Sequence, residues 1–125
     1  FTEYPYGVYI IQRDHKQNLS QLDEREKNNL AKTIRQTVGM LDCLFDKPFP
    51  YMMCLHQTPV NSGDYSDIYH FHIEFFPPMR SETKQKFNAS SETGAWAHCN
   101  PTAPEEKAEE LRNAYKKFLS KYNQD

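Results

Sequence analysis

The apolar residues of this chain recur with two different periods, and each period predicts one kind of element. Apolar positions three and four residues apart form one stripe before Pro48 and another near the C-terminal end, which is the pattern of two amphipathic helices. The first stripe contains Leu30, Ile34, Val38, Leu41 and Phe45. The second contains Ala108, Leu111, Tyr115, Phe118 and Tyr122, and we expect its helix to pack on a sheet.

Helix starts are predicted from capping residues. Ser20 followed by Asp23 predicts the start of the first helix, and Thr102 followed by Glu105 predicts the start of the last one. Residues 79–100 lie between the elements without a clear period, which is typical of a functional loop or of disorder.

Three segments rich in β-branched and aromatic residues predict strands at 6–12, 51–56 and 69–76. Turn-forming residues at 61–64 favour an antiparallel hairpin of the last two strands, centred near Gly63 and Asp64. That pairing places His56 opposite the region of residues 70–72. The elements together predict an α+β domain, a small antiparallel sheet with two long helices packed on it.

The third strand has two unlike faces. Side chains alternate across a strand, so Tyr69, Phe71, Ile73 and Phe75 line the face that we expect to be buried. The other face carries His70, His72, Glu74 and Phe76. Two imidazoles and a carboxylate thus alternate along one short strand.

Three interpretations of this polar face stay open. Imidazole and carboxylate suit zinc or iron(II), and His56, His72 and Glu74 would be the ligands. Alternatively, residues 70–73 follow the start of a histidine-triad motif in which His72 would attack phosphorus, although Glu74 stands where the third histidine belongs. The third interpretation is an ordinary solvent-exposed face of an antiparallel sheet.

Composition narrows the partners. A length of 125 residues favours one domain, and a net charge of −2 without a basic block makes nucleic acid an improbable partner. Apolar runs are too short for a membrane span. Cys43, Cys54 and Cys99 form no Cys-x-x-Cys pair, which favours free thiols in a reducing cytoplasm. The chain opens at Phe1 without a signal pattern, so we expect a fragment of a longer polypeptide.

Several segments resemble the C-terminal half of galactose-1-phosphate uridylyltransferases. They read FPYMMCLHQTP at 49–59, HFHIEFFPP at 70–78 and RSETKQKF at 80–87, and residues 92–97 and 104–112 are similar to bacterial members. The resemblance covers essentially residues 1–125 and implies a single C-terminal domain with a histidine-triad-like fold.

The resemblance also implies an activity. The family exchanges uridylyl groups between UDP-glucose and galactose 1-phosphate, giving UDP-galactose and glucose 1-phosphate, through a uridylyl-histidine in a His-Pro-His motif of the N-terminal half. No His-Pro-His occurs here. We therefore expect this chain to need the N-terminal half of the same polypeptide, to act in a homodimer, and to be inactive alone.

By motif matching, His56 and His72 fall on iron ligands of characterised members, together with a Glu of the missing half. Glu74 falls where that site has its last histidine, and a carboxylate can ligate iron or zinc. His70 matches no ligand.

The resemblance assigns substrate contacts to the irregular segment, across the dimer interface. The matching positions are Lys86, Phe87, Ala89, Ser91, Glu92 and His98. Lys86 would donate to a phosphate and Glu92 would accept from sugar hydroxyls. Two alternatives remain: a histidine-triad nucleotide hydrolase that uses His72, and a non-catalytic binding or dimerisation module.

Overall fold

The sheet has three antiparallel strands, and the computed structural model describes residues 2–61 and 63–122 of the chain. The strands are β1 (Val8–Ile11), β2 (Met52–His56) and β3 (His72–Phe76), in the order β1-β3-β2. All three predicted strands are therefore present, each somewhat shorter than expected. Ser62, in the middle of the predicted turn, lies outside the described residues.

Residues 2–61 and 63–122 contain three α-helices, two at the predicted apolar stripes and a short one in the irregular segment. They are α1 (Glu24–Leu44), the short α2 (Ser91–Ala95) and α3 (Pro104–Tyr122). None of the helices in the described part of the chain combines the length and the apolarity that a membrane span needs.

The predicted start of α1 was wrong. Its N-cap is Asp23, whose carboxylate accepts from the backbone N–H of Glu26, while the Glu26 carboxylate accepts from the N–H of Asp23. This reciprocal capping box satisfies two donors that a helix start leaves free. Ser20 belongs instead to a 3-10 helix (Leu19–Gln21) that Asn18 caps. The N-cap of α1 therefore lies three residues after the predicted one, at Asp23 and not at Ser20.

The start of α3 also differs from the prediction. The helix begins at Pro104, so the residue before it is Ala103 and not Thr102. Proline is favoured at the first helical position because it has no N–H to leave unpaired. The Thr102 hydroxyl and N–H both donate to the Asn100 side chain, which orders the turn leading into the helix.

The main core lies between α1 and one face of the sheet. Ile73 and Phe75 of β3 are fully buried there together with Leu41 of α1, and Tyr6 and Phe71 close the same cluster. The predicted buried face of β3 is therefore confirmed for Phe71, Ile73 and Phe75.

Helix α3 packs chiefly against α1, and its Leu111 side chain also packs on the main core. Phe118 and Ala114 form a second buried cluster with Cys43, and Leu111 reaches the edge of the main core. The two helices approach closely at Gly39, where an added methyl group would meet the Phe118 ring. Helix α3 therefore contacts α1 along most of its length and reaches the core of the sheet through Leu111.

Candidate functional site

The strand register brings the polar residues of β2 and β3 together on the face away from the main core. Cα partners across β2 and β3 are His56 with His72 and Cys54 with Glu74. Residues directly opposite each other in an antiparallel pair point to the same side of the sheet. The expectation that His56 lies opposite residues 70–72 is therefore confirmed.

His56, His72 and Glu74 form one compact cluster of possible ligands. Their donor atoms all lie within 4.8 Å of one another. One carboxylate oxygen, Glu74 Oε1, lies 3.2 Å from His72 Nε2 and 3.5 Å from His56 Nε2. The two imidazole rings stack, with centroids 4.8 Å apart and planes inclined by 13°.

The hydrogen bonds of His72 define which ring nitrogen can bind a cation. Its Nδ1 lies 2.9 Å from the carbonyl oxygen of His70. A carbonyl oxygen only accepts, so Nδ1 carries the proton and, in the neutral ring, Nε2 keeps its lone pair. That lone pair faces the Glu74 carboxylate, which is itself an acceptor.

The three residues fit a divalent cation. His56 Nε2 is buried and finds no hydrogen-bond partner within the described residues. Zinc–ligand bonds of about 2.0–2.1 Å at a tetrahedral ion hold donor atoms roughly 3.3 Å apart. The two separations from Glu74 Oε1, 3.2 and 3.5 Å, match this value, and all three donor atoms lie within 4.8 Å of one another. Two imidazoles and a carboxylate also suit iron(II).

Glu74 has two further neighbours on the same face that the sequence did not single out. Tyr9 of β1 and Cys54 of β2 are its direct cross-strand partners. The predicted pairing of β2 with β3 concerns only the neighbour of Glu74 on β2. The position of Tyr9 beside Glu74 follows from the pairing of β1 with β3, which the sequence analysis did not predict. Alternation along β1 is a signal that would have found Tyr9 once that pairing was assumed.

His70 does not join the cluster, which corrects the expectation from simple alternation. Strand β3 begins only at His72. Before that point the backbone N–H of Phe71 donates to the Lys16 carbonyl, and the His70 ring stacks on His15 at 5.3 Å. His70 therefore lies outside the sheet, before β3 begins.

The segment predicted to contact substrate is organised around an ion pair between Lys86 and Glu92. Both side chains are buried, and the Lys86 ammonium donates directly to Glu92 Oε1. The same carboxylate accepts from the backbone N–H groups of Ala89 and Cys99. Lys86 above all, and then the Cys99 N–H, lower the pKa of Glu92 from its ordinary 4.5 to about 2.

The other predicted contact residues lie on the outside of this loop. Phe87 is 74% exposed, and Ala89 and Ser91 are exposed as well. His98 Nδ1 lies 3.4 Å from a Glu3 carboxylate oxygen and 4.0 Å from Glu92 Oε1. The six predicted positions therefore belong to one folded loop, with the charged pair inside and Phe87 outside.

The N-terminal segment joins this loop to the polar face of the sheet. The Tyr4 ring lies edge-on to Phe76 of β3, and the Lys86 ammonium lies 5.7 Å from the same Tyr4 ring. A cleft of about 470 Å³ runs between this segment and the strands, lined on the strand side by Tyr9 and Glu74. The ligand cluster and the loop are thus neighbours through residues 2–4.

Comparison with known proteins identifies the family. A family model described as galactose-1-phosphate uridyl transferase, C-terminal domain, matches residues 1–123. The chain belongs to this family. The galactose-1-phosphate uridylyltransferase of Thermotoga maritima is 44% identical over 112 residues, which are 90% of this chain and 35% of that protein. That of Saccharomyces cerevisiae is 35% identical over 88% of this chain and 30% of its own length.

Solved structures share the fold of this chain. A structure of a uridylyltransferase superposes with a TM-score of 0.83 at 32% identity, over 94% of this chain and 37% of that one. An ADP-glucose phosphorylase from Arabidopsis thaliana, solved with bound ADP-glucose, gives 0.74 at 22% identity over 89% of this chain and 34% of its own, a likeness in fold alone. The predicted α+β, histidine-triad-like fold is confirmed. The chain spans about a third of the length of these relatives.

Proposed function

We propose that this domain is the C-terminal part of an enzyme that transfers UMP between UDP-glucose and galactose 1-phosphate. The observation that carries the proposal is the match to the family over residues 1–123, together with 44% identity to the Thermotoga maritima enzyme. The uridylyl-histidine would form in the N-terminal half, since this sequence holds no His-Pro-His. Alone, the chain would not turn over.

In this proposal His56, His72 and Glu74 hold iron or zinc, with a further ligand from the N-terminal half. The support is the shared Glu74 oxygen and the buried, unpartnered Nε2 of His56 among the described residues. A bound dication would neutralise the carboxylate and hold the two strands in register. This chain's own part is to align the donor atoms on a rigid strand pair.

The loop around Lys86 and Glu92 would contact the substrate. An ammonium group has three donors, so Lys86 can keep its bond to Glu92 and still donate to a phosphate oxygen once the loop opens towards a partner. The exposed Phe87, Ala89 and Ser91 would lie against the nucleotide sugar, and His98 would border the same site. The hydrogen bonds from Ala89 and Cys99 to Glu92 support a preformed loop.

The missing part of the polypeptide is the proposed partner of strand β2. β2 is an edge strand whose residues are exposed on both faces, among them Met52, Met53 and Leu55. An apolar, unpaired edge invites pairing with another strand, and relatives are about three times as long as the matched segment. A homodimer would then bring the loop to the neighbouring subunit.

The free thiols Cys43, Cys54 and Cys99 support a reducing, cytoplasmic setting.

Activity is tested with two proteins, the full-length polypeptide that carries this chain and the chain alone. We expect UDP-galactose formation from UDP-glucose and galactose 1-phosphate with the first and none with the second. Dinucleotide hydrolysis is measured as well. Hydrolysis that is lost when His72 is replaced would favour the histidine-triad hydrolase instead. A full-length protein without sugar-phosphate turnover or binding would favour the non-catalytic module.

The metal is tested by elemental analysis of purified full-length protein. His56→Ala and His72→Ala should each lower the metal content, because each removes one of three ligands from this chain. His15→Ala is the matched control, since His15 lies outside the cluster and stacks on His70. Unchanged metal content in both site variants would contradict the metal assignment.

A further inference from the structure

Glu74 carries the geometry of the proposed metal site, and it lies on the middle strand of the sheet. Its Oε1 faces both imidazoles. A carboxylate rotates about its side-chain bonds, so a hydrogen bond to the rest of the group would fix this orientation. Metal-binding carboxylates are commonly held by such a hydrogen bond from outside the ligand set.

Tyr9 lies where that partner is needed. It is the direct cross-strand neighbour of Glu74 on β1, which pairs with β3 on the edge opposite β2 and His56. The Tyr9 ring lies 6.2 Å from the His72 ring at an inclination of 34°, so the phenol follows the edge of the cluster. Tyr9 and Glu74 also line the same cleft.

The placement of Tyr9 agrees with a donor role. Direct cross-strand partners point to the same side of the sheet, so the Tyr9 phenol and the Glu74 carboxylate share one face. A carboxylate only accepts hydrogen bonds, and a phenol beside it can donate.

We propose that Tyr9 is a positioning residue of the metal site, whose hydroxyl donates to the Glu74 carboxylate and holds Oε1 towards His56 and His72. The role rests on the proposed metal function and adds a residue from a third strand to it. Tyr9 does not touch the metal, so it acts only through Glu74.

The test measures metal affinity in the full-length protein by competition with a chelator, using Zn²⁺ and Co²⁺ as probes. The site is defined as the metal equivalents that Glu74→Gln removes. Tyr9→Phe should weaken binding at this site about 10-fold or more and should change the visible absorption of the Co²⁺ form. Tyr51→Phe is the matched control, because Tyr51 is also a partly exposed tyrosine but packs on Phe75.

A double-mutant comparison separates positioning from general damage to the fold. In the Glu74→Gln background, Tyr9→Phe should cause no further change in residual metal binding, because its effect passes through the carboxylate. Equal affinity of Tyr9→Phe and the unchanged protein would overturn the positioning role alone. If Glu74→Gln removes no metal, the proposed metal function fails and the positioning role fails with it.

Discussion

The two faces of strand β3 show how one short segment can serve stability and chemistry separately. On one face Ile73 and Phe75 are almost completely buried against α1. On the other, His72 and Glu74 are half-buried and aim their polar atoms at each other and at His56. The two sets alternate residue by residue, so they share a backbone but not an environment.

The two faces of β3 differ in whether their interactions are complete within this domain. The apolar face gains from removing surface from water, at about 25 cal/mol per Å², and its contacts are complete within this domain. On the polar face, within the residues described, His56 Nε2 is buried without a hydrogen-bond partner, and His72 Nε2 faces the same carboxylate oxygen. Core and site should therefore respond differently to substitution.

The largest effect is expected on the core face. Ile73→Ala removes a side chain with no exposed surface and should lower the free energy of unfolding by about 2 to 5 kcal/mol, because the rigid surroundings leave a cavity. Urea unfolding measures this loss. A change below about 1 kcal/mol would mean that β3 is not held by its buried face.

The next effect concerns the contact between α1 and α3. A methyl group at Gly39 would lie 3.1 Å from Phe118 Cζ and closer to two other ring atoms. Gly39→Ala should therefore destabilise by about 1 to 3 kcal/mol through overpacking, partly offset by about 1 kcal/mol of helix propensity. Thermal unfolding measures the net loss.

Gly94→Ala is the control for this substitution, since nothing lies within 4 Å of the added methyl group. It should leave stability unchanged or slightly raised. Equal stability of the Gly39→Ala and Gly94→Ala proteins would show that α1 and α3 separate easily.

A smaller effect is expected in the loop, where polar groups are paired within the domain. The Glu92 carboxyl has its pKa lowered from 4.5 to about 2 by Lys86 and the Cys99 N–H. A depressed folded-state pKa contributes stability above the ordinary value, and that contribution is lost as the pH falls from about 4.5 towards 2. The Cys99 amide resonance in NMR spectra should therefore shift with a midpoint near 2.

Lys86→Met should move that midpoint up towards the ordinary value of 4.5, since it removes the largest cause of the shift. Lys84→Met, at an exposed lysine of the same segment, should leave it unchanged. A midpoint that is the same in both variants would contradict the pairing of Lys86 with Glu92.

The smallest effect on stability is expected on the polar face itself. Without metal, His56→Ala should change the free energy of unfolding by less than about 0.5 kcal/mol, since His56 is partly exposed and has no bonded partner to lose among the described residues. Urea unfolding in the presence of a chelator measures it. A loss as large as that of Ile73→Ala would remove the distinction between the two faces.

Local periodicity predicted most of the fold. The stripe from Leu30 to Leu41 became α1, and the alternation of β3 separated Ile73 from Glu74 as expected. The caps were predicted less well, since Ser20 and Asp23 are both good N-cap residues. Only the reciprocal bonds of Asp23 with Glu26 decided between them. The extensive contact of α3 with α1 was not predicted, because an amphipathic stripe does not reveal which surface covers it.

Half of the candidate site was within reach of the sequence. The hairpin places His56 beside His72 because the turn lies midway between them, and the alternation adds Glu74. The pairing of Lys86 with Glu92 was not predicted, since the residue spacing in an irregular loop carries no fixed geometry. The resemblance identified these positions as substrate contacts but did not indicate that they bind each other.

The sequence by itself determined the elements, the family and the two unlike faces of β3, because side-chain period follows directly from helix and strand geometry. Only the tertiary structure decided which distant residues meet. Tyr9 lies beside Glu74, and Tyr4 lies between Phe76 and Lys86, because strands and segments far apart in the chain pack around one core. Such contacts depend on the packing of the whole domain and not on any local pattern.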